Sequence, residues 1–232
     1  SEWSEPTNFT TLAEPPPDIF AALATNGSND DKLIRKFDPN DLSEVSAYPV
    51  TRSSFNAIDF GLDGNLYASN NEMVVKVNPT NMSEINLIDY SPDEGIKSVL
   101  YGSDNFVYTT LFGSLIQIDP SNMAQVGQLN TSSAIRNICF GDDGFIYGAG
   151  SDLFKIDPSD LSEVDSFTGG SNFINTVFYG FDGFVYIGFG SVFSSDNSIR
   201  KIDPFNMTEV DIFEGHNLQV NQVVLGSDGF LY

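Results

Sequence analysis

The sequence predicts an all-β fold of repeated four-stranded antiparallel sheets, and three observations predict it. The stretch FKIDPSDLSEV at 154–164 returns as RKFDPNDLSEV, VKVNPTNMSEI, IQIDPSNMAQV and RKIDPFNMTEV, with phase residues Asp38, Asn78, Asp119, Asp157 and Asp203. That is a period of about 40 residues, the length of a repeat unit built from several short strands. A second motif alternates with the first: GLDGNLY, GSDNFVY, GDDGFIY, GFDGFVY and GSDGFLY, starting at Gly61, Gly102, Gly141, Gly180 and Gly226. The residues one and three places before each of these glycines are apolar, as in Phe60/Ile58, Tyr101/Val99, Phe140/Ile138, Tyr179/Val177 and Leu225/Val223.

Alternation of that kind defines a first strand, A, with one apolar face. Asp-Gly follows and makes a tight turn that needs positive φ, which glycine adopts without a steric penalty. The second repeat has Asp104-Asn105 there, and asparagine is the next-best residue for that conformation. Strand B follows, carrying Tyr67, Tyr108, Tyr147, Tyr186 or Tyr232. The K-I-D-P stretch is the next hairpin, strands C and D. Its proline ends strand C, and the Asp or Asn before it bonds the turn backbone. Lys36, Lys76, Lys155 and Lys201 each lie eight residues before Glu44, Glu84, Glu163 and Glu209. In a regular hairpin those positions face each other, so an ion pair across the strands is expected. The third repeat has Gln117 and Gln125, losing both charges together.

Four short antiparallel strands in about 40 residues are one propeller blade. On the DG-x-x-Y and K-I-D-P motifs, the chain resembles the sequence-repeat β-propellers, the broad group with NHL, YVTN and streptogramin-lyase-like repeats. The resemblance covers about residues 18 to 232. It implies the fold and leaves the activity open.

Strands C and D of one blade come first, near residues 33–50, and strands A and B of another come last, near 221–232. Joining them closes five blades and removes the sheet edges at the seam. The alternative makes NFTTL at 8–12 a degenerate strand A and DIFAALATNG at 18–27 a strand B. The last two strands then belong to a sixth blade or to closure between chains. Residues 1–30 are accordingly expected to be an extended arm or a degenerate strand pair, with the propeller at 31–232; EPPPD at 14–18 is a stiff break.

Composition narrows the function. The net charge is −22, which argues against nucleic acid and anionic lipid surfaces as partners. No run of about 18 apolar residues exists to span a membrane. No basic, apolar leader opens the sequence, so an intracellular or already mature chain is expected. Sequons at Asn8, Asn26, Asn81, Asn130 and Asn206 are candidate glycan acceptors. A composition rich in Asn, Ser and Thr yields several such triplets by chance, so they favour an extracellular or cell-surface location only weakly. The single cysteine, Cys139, sits in an apolar strand pattern and is expected to be an inert thiol.

The loops between the repeated turns vary, and variable loops are where binding residues concentrate. At the start of strand A, Asn56, Lys97, Arg136, Asn175 and Asn221 share one position, the mouth of the central channel. They are candidates for binding an anion or a sugar, or a hydrated channel lining. Phe189, Phe193 and His216 are further loop candidates, and the aspartates of the DG and DP turns are expected to be turn formers. No metal and no cofactor are expected. One histidine and one cysteine cannot assemble a zinc site, and no calcium-loop motif occurs. Nor does a motif pair a nucleophile with a base. A streptogramin-lyase-like activity would centre on histidine, and His216 alone does not support it. The expected function is therefore a non-enzymatic extracellular structural or interaction module, self-assembling or polymerising through its terminal strands. The alternatives are a lectin-like carbohydrate-binding propeller and a hydrolase or lyase using loop carboxylates such as Asp196.

Overall fold

In the computed structural model the described residues are 19–22, 33–49, 55–92, 95–169, 173–190, 196–214, 219–226 and 228–232. They form one three-stranded and four four-stranded antiparallel sheets, with no helix. The first sheet holds β1 (Ile19–Ala22), β2 (Leu33–Phe37) and β3 (Glu44–Pro49). The second holds β4 (Ala57–Phe60), β5 (Leu66–Ser69), β6 (Met73–Asn78) and β7 (Ser83–Asp89). The third holds β8 (Val99–Tyr101), β9 (Val107–Leu111), β10 (Ser114–Asp119) and β11 (Ala124–Leu129). The fourth holds β12 (Ile135–Phe140), β13 (Ile146–Gly150), β14 (Asp152–Asp157) and β15 (Ser162–Thr168). The fifth holds β16 (Ile174–Tyr179), β17 (Val185–Phe189), β18 (Ile199–Asp203) and β19 (Thr208–Phe213). Each four-stranded sheet is an up-and-down meander in chain order.

Both hairpins form where the motifs indicate. At the first turn, Gly64, Gly144 and Gly183 have φ between 78° and 87°, and Asn105 takes 68° in the same place. The aspartate of this turn caps the backbone N–H two residues on, as Asp63 does for Asn65 at 3.1 Å, and accepts the tyrosine hydroxyl of strand B. In the second turn, Asp38, Asn78, Asp119, Asp157 and Asp203 each accept the N–H two residues on, at 2.8–2.9 Å. The turn aspartates are turn formers, as expected.

The expected Lys–Glu pairing across the second hairpin is corrected. Val77, Ile156 and Ile202 face Glu84, Glu163 and Glu209, and a bulge then shifts the register by one more residue, so Lys76 faces Asn86, Lys155 faces Asp165 and Lys201 faces Asp211. Each lysine turns instead to the aspartate of its own sheet's first turn: Lys76 to Asp63 at 2.8 Å, Lys155 to Asp143 at 3.3 Å and Lys201 to Asp182 at 2.9 Å. In the third sheet Gln117 donates to the Tyr108 hydroxyl at 2.8 Å. A bulge offsets every later pairing by one place, which spacing alone does not reveal.

Consecutive sheets pack through the same contacts each time. Aromatic pairs join strand B of one sheet to strand A of the next: Phe20–Phe60, Tyr67–Tyr101, Tyr108–Phe140 and Tyr147–Tyr179, with centroids 5.4–6.4 Å apart. Such pairs add about 0.5–1.5 kcal/mol each beyond their area burial. The same lysine reaches forward to the next sheet's proline carbonyl: Lys36 to Pro79 (3.2 Å), Lys76 to Pro120 (2.9 Å) and Lys155 to Pro204 (2.8 Å); Gln117 reaches Pro158 at 3.4 Å. The core is accordingly a series of apolar clusters, each shared by two successive sheets.

The second turn also holds a bulky residue at positive φ: Leu42, Met82, Met123, Leu161 and Met207, at 49° to 58°. Met82, Met123 and Met207 are almost fully buried, plugging the cluster shared with the preceding sheet. Left-handed backbone costs such a residue about 1–2 kcal/mol, and burial of the side chain offsets it. Leu42, in the first sheet, is 65% exposed.

The terminal segment 219–232 makes a short hairpin. Leu225 bridges Leu231, and Val224 and Tyr232 exchange both backbone hydrogen bonds. It carries Tyr232 and Asp228 in the strand-B geometry, hydroxyl to carboxylate at 2.6 Å. β2 is paired to β1, not to this hairpin, with Phe20 opposite Lys36 as Tyr67 is opposite Lys76. The strand-B assignment of 18–27 therefore has its strand at Ile19–Ala22. The strand-A expectation at 8–12 lies outside the described residues.

Candidate functional site

Strand A of four sheets and the segment 221–224 line one common cavity. Ile58, Val99, Ile138, Val177 and Val223 give its apolar part, and Ser98, Asn137 and Thr176 its polar part. Strand A of each of these sheets also contacts strand A of a neighbouring sheet.

The mouth residues sit at the start of this strand, and several are committed to structure. Asn56 donates to the Ile96 carbonyl at 3.0 Å, and Ser69 Oγ donates to Asn56 Oδ1 at 3.1 Å. Asn175 donates to the Val220 carbonyl at 3.2 Å. Each of these amides thus ties one sheet to the next. Lys97 is exposed and donates from Nζ to Asn71 Oδ1 at 3.2 Å. Arg136 is exposed, with its guanidinium 4.3 Å from the Phe173 ring centroid. Asn221 is exposed. Lys97 and Arg136 are thus held by an amide and by an aromatic face, and of these five residues Asn221 is the one that lines the cavity.

Phe189 is fully buried within the core cluster of the fourth and fifth sheets, under the Arg200 guanidinium at 4.5 Å. Arg200 also pairs with Asp196 at 2.7 Å and Glu209 at 3.1 Å. Burial pushes the Asp196 carboxyl up, but hydrogen bonds from Ser198 and the Arg200 charge outweigh it and hold it below the usual carboxylate range. Phe193 and His216 lie outside the described residues, as do Asn8 and Asn26.

The other three sequons are exposed. Asn81 and Asn206 occupy one recurring place in the second turn, where their Oδ1 accepts the N–H and the hydroxyl of Ser83 and Thr208. Asp41, Asn122 and Asp160 do the same at the equivalent places, each accepting the N–H two residues on. Two of the sequons are thus the Asn version of a turn the fold needs anyway. Asn130 accepts from Ser114 and Gln128.

Two features escaped the sequence. Asn70 is fully buried and caps the N–H groups of Glu72 and Met73 at 2.8 and 2.9 Å. Asp59 accepts the Tyr101 N–H of the next sheet at 2.6 Å, and burial raises its carboxyl above the ordinary value. Nothing in the motif spacing marks either. Cys139 is half-buried at the place equivalent to Asp59, and desolvation pushes its thiol up to about 12. Among the described residues no three His, Cys, Asp or Glu side chains come together as a metal site, and no helix is long and apolar enough to cross a membrane.

The second candidate is an apolar groove. Beside the terminal hairpin runs a groove of about 420 Å³, lined by Ile199, Lys201, Ile212, Phe213, Phe230 and Leu231 among others. Phe213, Phe230 and Tyr232 are more than half exposed. Comparison with known proteins found no matching family model and no matching curated protein.

Proposed function

We propose that this protein is a non-enzymatic β-propeller that works as a structural and interaction module, assembling through the apolar groove beside its terminal strands. The observation that carries this reading is that groove, lined by the exposed apolar side chains of Ile212, Phe230 and Leu231. Exposed apolar patches of this kind mark interaction sites. The propeller reading is supported by five segments lining one cavity and by the same sheet-to-sheet contacts recurring along the chain. With β1 on β2, the units number five sheets and a sixth half-unit, which supports the six-blade alternative. On this reading the protein acts outside the cell or at its surface, as a relative of the sequence-repeat propellers. The carboxylate named for an enzyme, Asp196, is taken up by Arg200.

Sedimentation velocity on native protein over a hundredfold concentration range tests the proposal. Concentration-dependent assemblies are expected, and Phe230→Asp with Leu231→Asp should disperse them. Single particles at every concentration, or assemblies indifferent to the double substitution, would overturn assembly through this groove.

A further inference from the structure

The cavity lined by strand A is polar without being charged. One register position of that strand, four residues before the motif glycine, supplies Ala57, Ser98, Asn137, Thr176 and Gln222, and all five line the cavity. The next position is apolar each time, from Ile58 to Val223. The chain carries 32 acidic and 10 basic residues, yet among the described residues no charged side chain lines this space. An ion of either sign would leave water there without a counter-charge, which is strongly unfavourable. The lining selects uncharged molecules that form hydrogen bonds.

The polar groups are not all taken up by the fold. Ser98 is 6% exposed and Thr176 is 4% exposed. The Ser98 carbonyl accepts from Thr109 Oγ1 at 2.6 Å, but among the described residues the hydroxyls of Ser98 and Thr176 have no hydrogen-bond partner. Buried hydroxyls are ordinarily paired. Asn137, on the strand between them, accepts the Val177 N–H on its Oδ1 at 3.3 Å. That bond fixes the carboxamide against the next sheet and leaves Nδ2 as a donor. The three groups occupy equivalent places on β8, β12 and β16, strands that contact one another in that order.

We propose that this cavity is a binding site for one small uncharged polyhydroxyl molecule of monosaccharide size. Its hydroxyls pair with the Ser98 and Thr176 hydroxyls and with Asn137 Nδ2, and its C–H groups lie on the apolar side chains one residue further along strand A. The cavity measures about 360 Å³, at the small end of the range of about 300–1,000 Å³ for ligand pockets. That suits a single ring and not an oligosaccharide. Asn221 and Gln222 also line the cavity, and both are exposed, so they add amides where the ligand meets solvent. The partners come from different sheets, so the site is shared by the units and not repeated in each.

Saturation-transfer difference NMR on the full chain tests this, with glucose, galactose, mannose and myo-inositol as probes and glucuronate and glucosamine as charged counterparts. Saturable one-to-one binding of at least one neutral probe is expected, with both charged counterparts about tenfold weaker or more. Thr176→Val keeps the side-chain shape and removes the hydroxyl, so it should weaken binding about tenfold without lowering the melting temperature. Ser98→Ala should do the same. No saturable binding of any neutral probe would mean a hydrated cavity only and would overturn the proposal. Binding that both substitutions leave unchanged would overturn it as well, as would glucuronate or glucosamine binding as tightly as the neutral probes.

Discussion

Asp63 shows how a turn residue becomes a stability element. Burial pushes its carboxyl up, but hydrogen bonds from Lys76, Tyr67 and Asn65 outweigh that and hold it at about 2. An unfolded aspartate titrates near about 3.9. Because the folded value is the lower one, the contribution of the ionised carboxylate is complete above that pH and is lost as pH falls toward 2. The urea midpoint should therefore drop between pH 4 and pH 2, and Asp63→Asn should drop less over the same interval. An identical drop in both proteins would remove Asp63 from the account. At this scale the sequence identified the DG aspartates as turn formers but not their second role. The lysine that completes the triad is expected from its spacing to face a glutamate, but Val77 takes that place and a bulge beside it carries Lys76 on to Asn86. The bonds of Asn56 and Asn175 across to the neighbouring unit were not legible, because they depend on packing between units that share no local sequence.

The second turn is the element where strain and burial meet. Met123 and Leu42 share a left-handed conformation, at φ 57° and 58°, but Met123 is 3% exposed and Leu42 is 65% exposed. The two should respond to glycine in opposite directions. Leu42→Gly should stabilise by about 1 kcal/mol, since it relieves strain with little burial to lose. Met123→Gly should destabilise by about 1–3 kcal/mol, because the lost packing of about 2–5 kcal/mol exceeds the relieved strain. Urea melts of the two variants check this, and stabilisation in both would mean that the plug carries no packing energy. The hairpins themselves were legible because Asp-Gly and Asp-Pro dictate backbone conformation locally. The positive φ of a Leu or Met was not, since no propensity favours it and only the neighbouring sheet explains it.

At the scale of the whole molecule, charge is the dominant unbalanced term. The chain carries 32 acidic and 10 basic residues, and several of the basic ones are already held in ion pairs. The remaining negative charges repel one another across a compact body, and salt screens that repulsion. The melting temperature should rise between 10 and 300 mM sodium chloride. A fall would mean that the lysine–aspartate pairs outweigh the net charge. The repeat count and the sheet order were legible because a fixed period constrains every unit at once. The seam was not, because the first unit lacks the Asp-Gly turn and its strand, Ile19–Ala22, shares only Phe20 with the motif.

The forward bond from each lysine to the next proline carbonyl has a genetic consequence. Successive units offer the same acceptor backward and an equivalent donor forward, a lysine in most and Gln117 in the third, so one internal unit fits after another. Joining Asn78 directly to Pro120 would delete one unit and leave Lys36 opposite the Pro120 carbonyl in place of that of Pro79. Unequal crossing-over in such a gene meets no chemical penalty at an internal joint.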